Sequence, residues 1–238
     1  MRVFHGFDAL PRFRRPAVTV GSFDGVHLGH RALLERLVGE ARRRNAESVV
    51  LTFEPHPREF FSPATAPARL STLREKLELL AEQGVAQTMV CPFNHRFAAL
   101  GAEDFVSVVL RDALRARYVV IGDDFRFGAK RRGDFAMLQA AGQRHGFAVE
   151  ALPCVIRNGE RVSSSAVRTA LAEGRMEDAA GLLGLFAGHS AGYGIVRLGV
   201  DGAHAEAAEG HSGEQRSRHA VRMDAEGHER AGAGDADV

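Results

Sequence analysis

The sequence predicts an α/β fold in which a doubly wound parallel sheet carries helices on both faces. Three observations lead there. Short apolar, β-branched runs alternate with helix-period segments as far as residue 184, the pattern of a sheet buried on both sides. The 238 residues, 45% hydrophobic and 26% charged, are ordinary for one or two globular domains with a sizeable core. Cys91 and Cys154 are the only cysteines, so no disulfide framework replaces that core, and both read as small buried residues.

The expected strands are 17–21 (AVTVG), 48–53 (SVVLTF), 87–92 (QTMVCP), 118–122 (YVVIG) and 147–152 (FAVEAL). Helical stretches fall between them at 29–44, 71–83, 103–115 and 134–145, the second opened by Ser71 with Glu75 close behind. Two further helices are expected at 165–173 and 176–183, with Gly174 as the stop between them. In such a sheet the ligand site lies at the carboxyl ends of the strands. After Val200 the chain has no Leu, Ile or Phe and is crowded with Gly, Ala, Glu, Arg and His. That composition predicts a disordered tail.

Charge narrows the partners. The formal net charge is +1, but residues 1–184 carry +5 and residues 185–238 carry −4. A modestly basic body without aromatic-interleaved basic tracts suits a phosphate-bearing small molecule and argues against nucleic acid. No stretch approaches the roughly 18–20 apolar residues of a membrane span, and the start lacks the apolar segment of a signal peptide. The expectation is a cytoplasmic monomer.

The most informative stretch is GSFDGVHLGH, residues 21–30, directly after the first strand. A strand ending at Gly21 and a helix starting near Leu28 leave a short turn whose amides, with the helix N-terminus, favour an anion. Gly25 and Gly29 permit close approach of backbone to ligand. His27 and His30, one helical turn apart, project to the same side, where one phosphate could meet both imidazoles. Incidental polar residues at a helix start, or a metal pair with His56 as the nearest third ligand, are the other readings. Neither G-x-x-x-x-G-K-[ST] nor G-x-G-x-x-G is present.

Three later segments add candidates. In RVSSSAVRTAL (161–171) three serines precede a short helix, so one can cap it while others offer hydroxyls, and Arg168 returns to the same helix end with a guanidinium suited to phosphate. A plain cap and a surface arginine are the alternative. GDDFRFGAKRRGD (122–134) joins Phe125 and Phe127 to a flexible basic loop that could stack a flat ring, or be a solvated loop anchored by core phenylalanines. In TFEPHPREFF (52–61) the prolines fix an extended loop, with His56 a loop residue or a contributor.

GSFDGVHLGH carries the H-x-G-H signature of the nucleotidyltransferase α/β-phosphodiesterase superfamily, with its Rossmann-like sheet. Its wording resembles the adenylyltransferase module of bacterial bifunctional riboflavin kinase/FMN adenylyltransferases, also called FAD synthetases. The resemblance continues through LTFEPHPREFF, FNHRFAALGAEDFV, VVIGDDFRFGAKRRGD and RVSSSAVRTAL in the family's order, covering about residues 15–184. It implies transfer of AMP from ATP to FMN, giving FAD and pyrophosphate, with Mg²⁺ accompanying ATP and no protein metal ligands. It implies catalytic roles for His27, His30 and Arg168, and ATP contacts from Gly21, Phe23, Gly25, Gly29, Ser164 and Ser165. Phe53, Pro55, Asn94, Asp124, Phe125, Phe127 and Gly128 are implied in the flavin pocket, while Phe97, Leu100 and Phe105 read as core.

The family's usual riboflavin kinase module bears a G-x-P-T-A-N element that this sequence lacks. The expectation is an adenylyltransferase domain over 1–184, no kinase activity, and a tail over 185–238 translated out of frame. The rival functions are a flavin- or nucleotide-binding remnant that no longer turns over, and a nucleotidyltransferase with another phosphorylated acceptor.

Overall fold

A computed structural model describes residues 1–7 and 10–185. The expected tail lies outside the described residues, apart from its first residue. In chain order the elements are β1 (Arg2–His5), β2 (Ala17–Val20), α1 (Leu28–Arg43), β3 (Ser48–Glu54), α2 (Pro57–Phe61), α3 (Leu73–Glu82), β4 (Gln87–Pro92), α4 (His95–Ala98) and α5 (Ala102–Asp104). A π-helical segment, Phe105–Ala113, continues α5 and leads to β5 (Tyr118–Gly122), α6 (Phe135–His145) and β6 (Ala148–Leu152). The hairpin β7 (Ile156–Arg157) and β8 (Glu160–Arg161) precedes α7 (Ser164–Ala172) and α8 (Met176–Leu183).

Six strands form one parallel sheet in the order β1-β4-β3-β2-β5-β6. The chain therefore winds outward from β2 through β3 to β4, then returns to the centre and winds the other way through β5 to β6. This is a Rossmann-like arrangement, with the topological switch between β2 and β5. Alternate strand residues supply two cores: Ala17, Val50 and Val120 pack against α1, α3, α7 and α8, whereas Val18, Val49 and Val119 pack against the π-helical segment and α6. Burial on both faces is why the strands read as unbroken apolar runs.

The expected strands and helices are present, with local differences. Thr72, not Ser71, caps α3: its side chain accepts from the Glu75 amide while the Glu75 carboxylate accepts from the Thr72 amide. The helix expected at 103–115 is mostly π-helical, with the Leu114 N–H donating to the Val109 carbonyl. Cys91 is buried and Cys154 half-buried, both free. Among the described residues no helix is long and apolar enough to cross a membrane.

Candidate active site

The turn leaving β2 is tightly wound. Phe23, Gly25 and Val26 have φ of 49°, 79° and 40°. The left-handed region disfavours a β-branched residue most, so Val26 is a strained position held by complete burial. At Gly25 a Cβ would also stand 3.0 Å from the Leu70 side chain, so glycine is required twice over. This geometry places the fully buried Phe23 ring beneath Gly21 and delivers His27 to the start of α1 as its N-cap.

His27 Nδ1 accepts from the His30 backbone N–H at 3.3 Å. A neutral His27 must then carry its proton on Nε2, leaving that N–H as a donor. The His30 ring stacks on His27 with centroids 3.6 Å apart and planes 18° apart, and its centroid lies 5.1 Å from that of the tilted Phe23 ring. His30 Nδ1 is enclosed without a hydrogen-bond partner. Burial lowers the His27 pKa to about 4, aided by Arg161 and opposed by Asp24. Burial, with His27 and Lys76 nearby, pushes His30 well below its ordinary value. Both rings are therefore neutral hydrogen-bonding groups at pH 7, not cations.

That shift has a stability consequence. Between pH 6.5 and about 4 the unfolded chain protonates His27 while the native chain does not. The neutral-ring contribution is thus complete above pH 6.5 and is lost as the pH falls toward 4, up to about 3 kcal/mol. Urea titrations across this window should show unfolding free energy falling with pH, and His27→Gln should flatten the dependence; an equally steep variant would refute the assignment.

The histidine pair forms one wall of a cavity of about 260 Å³ at the switch between β2 and β5. Gly21, Phe23, His27, Gly29 and His30 line it from the turn, Asp123, Asp124 and Phe125 from the end of β5, and Cys154, Val155, Arg161 and Ser163 from the approach to α7. Arg161 pairs with Asp124 at 2.5 Å, both groups largely exposed. Ser163 caps α7, Ser164 Oγ donates to the Asp24 carbonyl at 3.0 Å, and Ser165 is exposed.

Arg168 and Ser164 converge on the turn through Asp24. That carboxylate, 3% exposed, accepts from the Leu70 and Ser71 amides at 3.0 and 3.1 Å and is paired with Arg168. Arg168 Nε donates to the Ala68 carbonyl at 2.7 Å. Its Nη1 has no hydrogen-bond partner among the described residues.

Phe53, Phe125 and Phe127 lie on a file of aromatic rings that reaches this cavity at Phe125. Phe53 contacts Phe97 at 5.7 Å, and the file runs on through Phe105 and Phe127 to Phe125. Phe127 is buried in the core, its ring covering Gly133. Gly128, at φ +72°, leaves space for Ala102, whose Cα would be 2.6 Å from an added Cβ. Both residues thus also set the base of the loop. Asn94 caps α4 by accepting from the Phe97 amide at 2.9 Å, and Pro55 is exposed at the end of β3. Asp124 and Phe125, expected with the flavin, line the same cavity as the histidines, whereas Phe53, Pro55, Asn94, Phe127 and Gly128 do not. Sequence reasoning missed Asp24, Lys76 and Arg161. Among the described residues no group of three or more His, Cys, Asp or Glu could hold a metal ion, His56 included.

The sequence model of the FAD synthetase family matches residues 11–166. The bifunctional riboflavin kinase/FMN adenylyltransferase of Escherichia coli K12 is 50% identical over 184 residues, covering 77% of this chain and 58% of that protein. The Pseudomonas fluorescens protein of the same name is 45% identical over 185 residues, 77% of this chain and 59% of that one. This chain therefore spans a little under three fifths of these relatives. A crystal structure described as a macrolide-efflux protein from Streptococcus pneumoniae aligns with a TM-score of 0.67 at 25% identity, covering 77% of this chain and 60% of that one.

Proposed function

This chain belongs to the FAD synthetase family, and on that premise we propose that it transfers AMP from ATP to FMN, forming FAD and pyrophosphate. The observation that carries the reading is the stacked His27–His30 pair facing a cavity at the sheet's switch point, where open α/β sheets take nucleotides. An FMN phosphate oxygen attacks the α-phosphorus of ATP, the new P–O bond forms, and pyrophosphate leaves with the electron pair. The acceptor is already a nucleophile, so no protein nucleophile is needed. Catalysis is alignment plus hydrogen bonding to phosphoryl oxygens whose charge redistributes.

His27 Nε2–H and the His30 ring serve the transferring phosphates, and the turn at Gly21, Phe23, Gly25 and Gly29 admits ATP to close backbone approach. Ser164, Ser165 and the free Nη1 of Arg168 attend the polyphosphate. Phe53, Pro55, Asn94, Phe125, Phe127 and Gly128 form or support the flavin side, and Asp124 sits where nucleotide and flavin meet. Mg²⁺ arrives with ATP, held by phosphate oxygens and water; Asp24, the carboxylate beside the turn, is already saturated with donors. The same reading makes the chain a cytoplasmic monomer acting on small molecules without nucleic acid or membrane, with residues 1–184 as the catalytic domain and no riboflavin phosphorylation.

Pyrophosphate release by the purified chain tests this directly. With Mg-ATP and FMN, FAD and pyrophosphate should appear in equal amounts, and riboflavin should yield neither FMN nor FAD. Silence with FMN would overturn the reading, and turnover of riboflavin would overturn the absence of kinase activity.

A further inference from the structure

The chain has two lysines, Lys76 and Lys130, against 29 arginines. Lys130 lies on the exposed loop, but Lys76 is 3% exposed in the first turn of α3, on the face that buries Leu79 and Leu80. A cation there is opposed twice, by burial and by the positive end of the helix dipole.

Its ammonium forms no hydrogen bond or ion pair among the described residues. The carboxylates that could neutralise it are committed elsewhere. Asp24 is occupied by Arg168 and two amides. Glu54 and Glu59 are both gripped by Arg69, at 2.7 and 2.5 Å. Unlike His30 Nδ1, Lys76 Nζ is not sealed from solvent.

Position links this charge to the site. The residues just before α3 are fastened to the glycine–histidine turn, with the Gly25 N–H donating to Ser71 Oγ at 3.1 Å and the Leu70 and Ser71 amides donating to Asp24. Burial lowers the pKa of His30 in α1 and of His56, the N-cap of α2, and the Lys76 charge adds a smaller push in the same direction to both; burial lowers the pKa of Lys76 itself, opposed by Asp24 and Glu54. A compact ammonium is a point-charge donor that a forked guanidinium replaces only in part.

We propose that Lys76 is a phosphate-contacting residue, its ammonium donating to a substrate phosphoryl oxygen beside the histidine pair. The assignment rests on the adenylyl-transfer reading. The oxygen belongs to ATP or to the FMN phosphate, a distinction that binding measurements make.

Lys76→Met should fold with unchanged or raised Tm and lose roughly 100-fold in kcat/KM for pyrophosphate release. Weaker FMN binding with unaltered riboflavin binding assigns the FMN phosphate, and weaker ATP binding with unaltered FMN binding assigns the nucleotide. A loss in kcat alone assigns a contact made in the transition state. Lys76→Arg, which keeps the charge, should recover part of the loss. Wild-type kcat/KM and affinities in a folded Lys76→Met would overturn the proposal. A second measurement needs no variant at position 76: ¹⁵N spectra of the side-chain ammonium groups contain two lysine signals, separated by Lys130→Arg. The Lys76 signal should move on addition of FMN or Mg-ATP, and a signal unmoved by saturating amounts of each would also overturn it. Failure of wild-type chain to turn over FMN would instead count against the parent reading, which these spectra do not require.

Discussion

Replacing His30 with alanine is expected to lower kcat/KM for pyrophosphate release from Mg-ATP and FMN by roughly 10²–10³-fold, the usual effect of deleting a well-placed donor to a reacting oxyanion. The substitution is informative because the hydrogen bond that sets His27 uses the His30 backbone N–H, which alanine keeps. His27 therefore retains its cap and its tautomer while losing the ring stacked on it at 3.6 Å. The fall in rate then reports the His30 donor and the stack, not collapse of the α1 N-terminus. Both rings are neutral at pH 7 in the free protein, so bound polyphosphate will favour proton uptake there, and the activity of the wild type should depend on pH more steeply than that of the variant. A loss below about fivefold, with the fold verified by thermal unfolding, would remove His30 from the reacting phosphates.

The sequence carried much of this arrangement, unevenly and for identifiable reasons. The central strands were legible because neighbours such as Val49 and Val50 face opposite cores, which forces both to be apolar. β1 was missed: RVFH is an edge strand with one half-buried residue and no apolar run. The β7–β8 hairpin was also missed, although Asn158-Gly159, with φ of 51° and 81°, is the dipeptide a two-residue turn favours. In the site, the glycine–histidine turn was readable because its strand, turn and helix are contiguous. Asp24, Lys76 and Arg161 were not, because each acquires meaning from distant segments. Asp24 meets Arg168 across 144 positions and the Leu70 amide across 46. Ser71 looked like a helix cap because its actual partners, the Gly25 amide and Asp24, cannot be inferred from its neighbours in the chain.

Asp24→Ala should be the most damaging single change in the domain, costing about 3–5 kcal/mol of unfolding free energy in urea titrations, because it leaves the half-buried Arg168 unpaired and strips two amides of their acceptor. Activity should fall as well, since one carboxylate ties together the turn that presents His27, the segment leading into α3 and Arg168 of α7. Asp24→Asn separates the two effects. The amide oxygen can still accept from Leu70 or Ser71, but its NH₂ is no partner for a guanidinium, so fold is restored more than activity. Arg168→Ala closes the cycle: if the pair acts as a unit, Asp24→Ala combined with Arg168→Ala should be less destabilised than the sum of the single variants by about 1–3 kcal/mol. Additive losses would mean that Asp24 supports the loop amides alone and that Arg168 is free to serve ATP without it. Coupled losses would instead make the orientation of the phosphate-binding guanidinium a property of the same buried carboxylate that shapes the glycine–histidine turn.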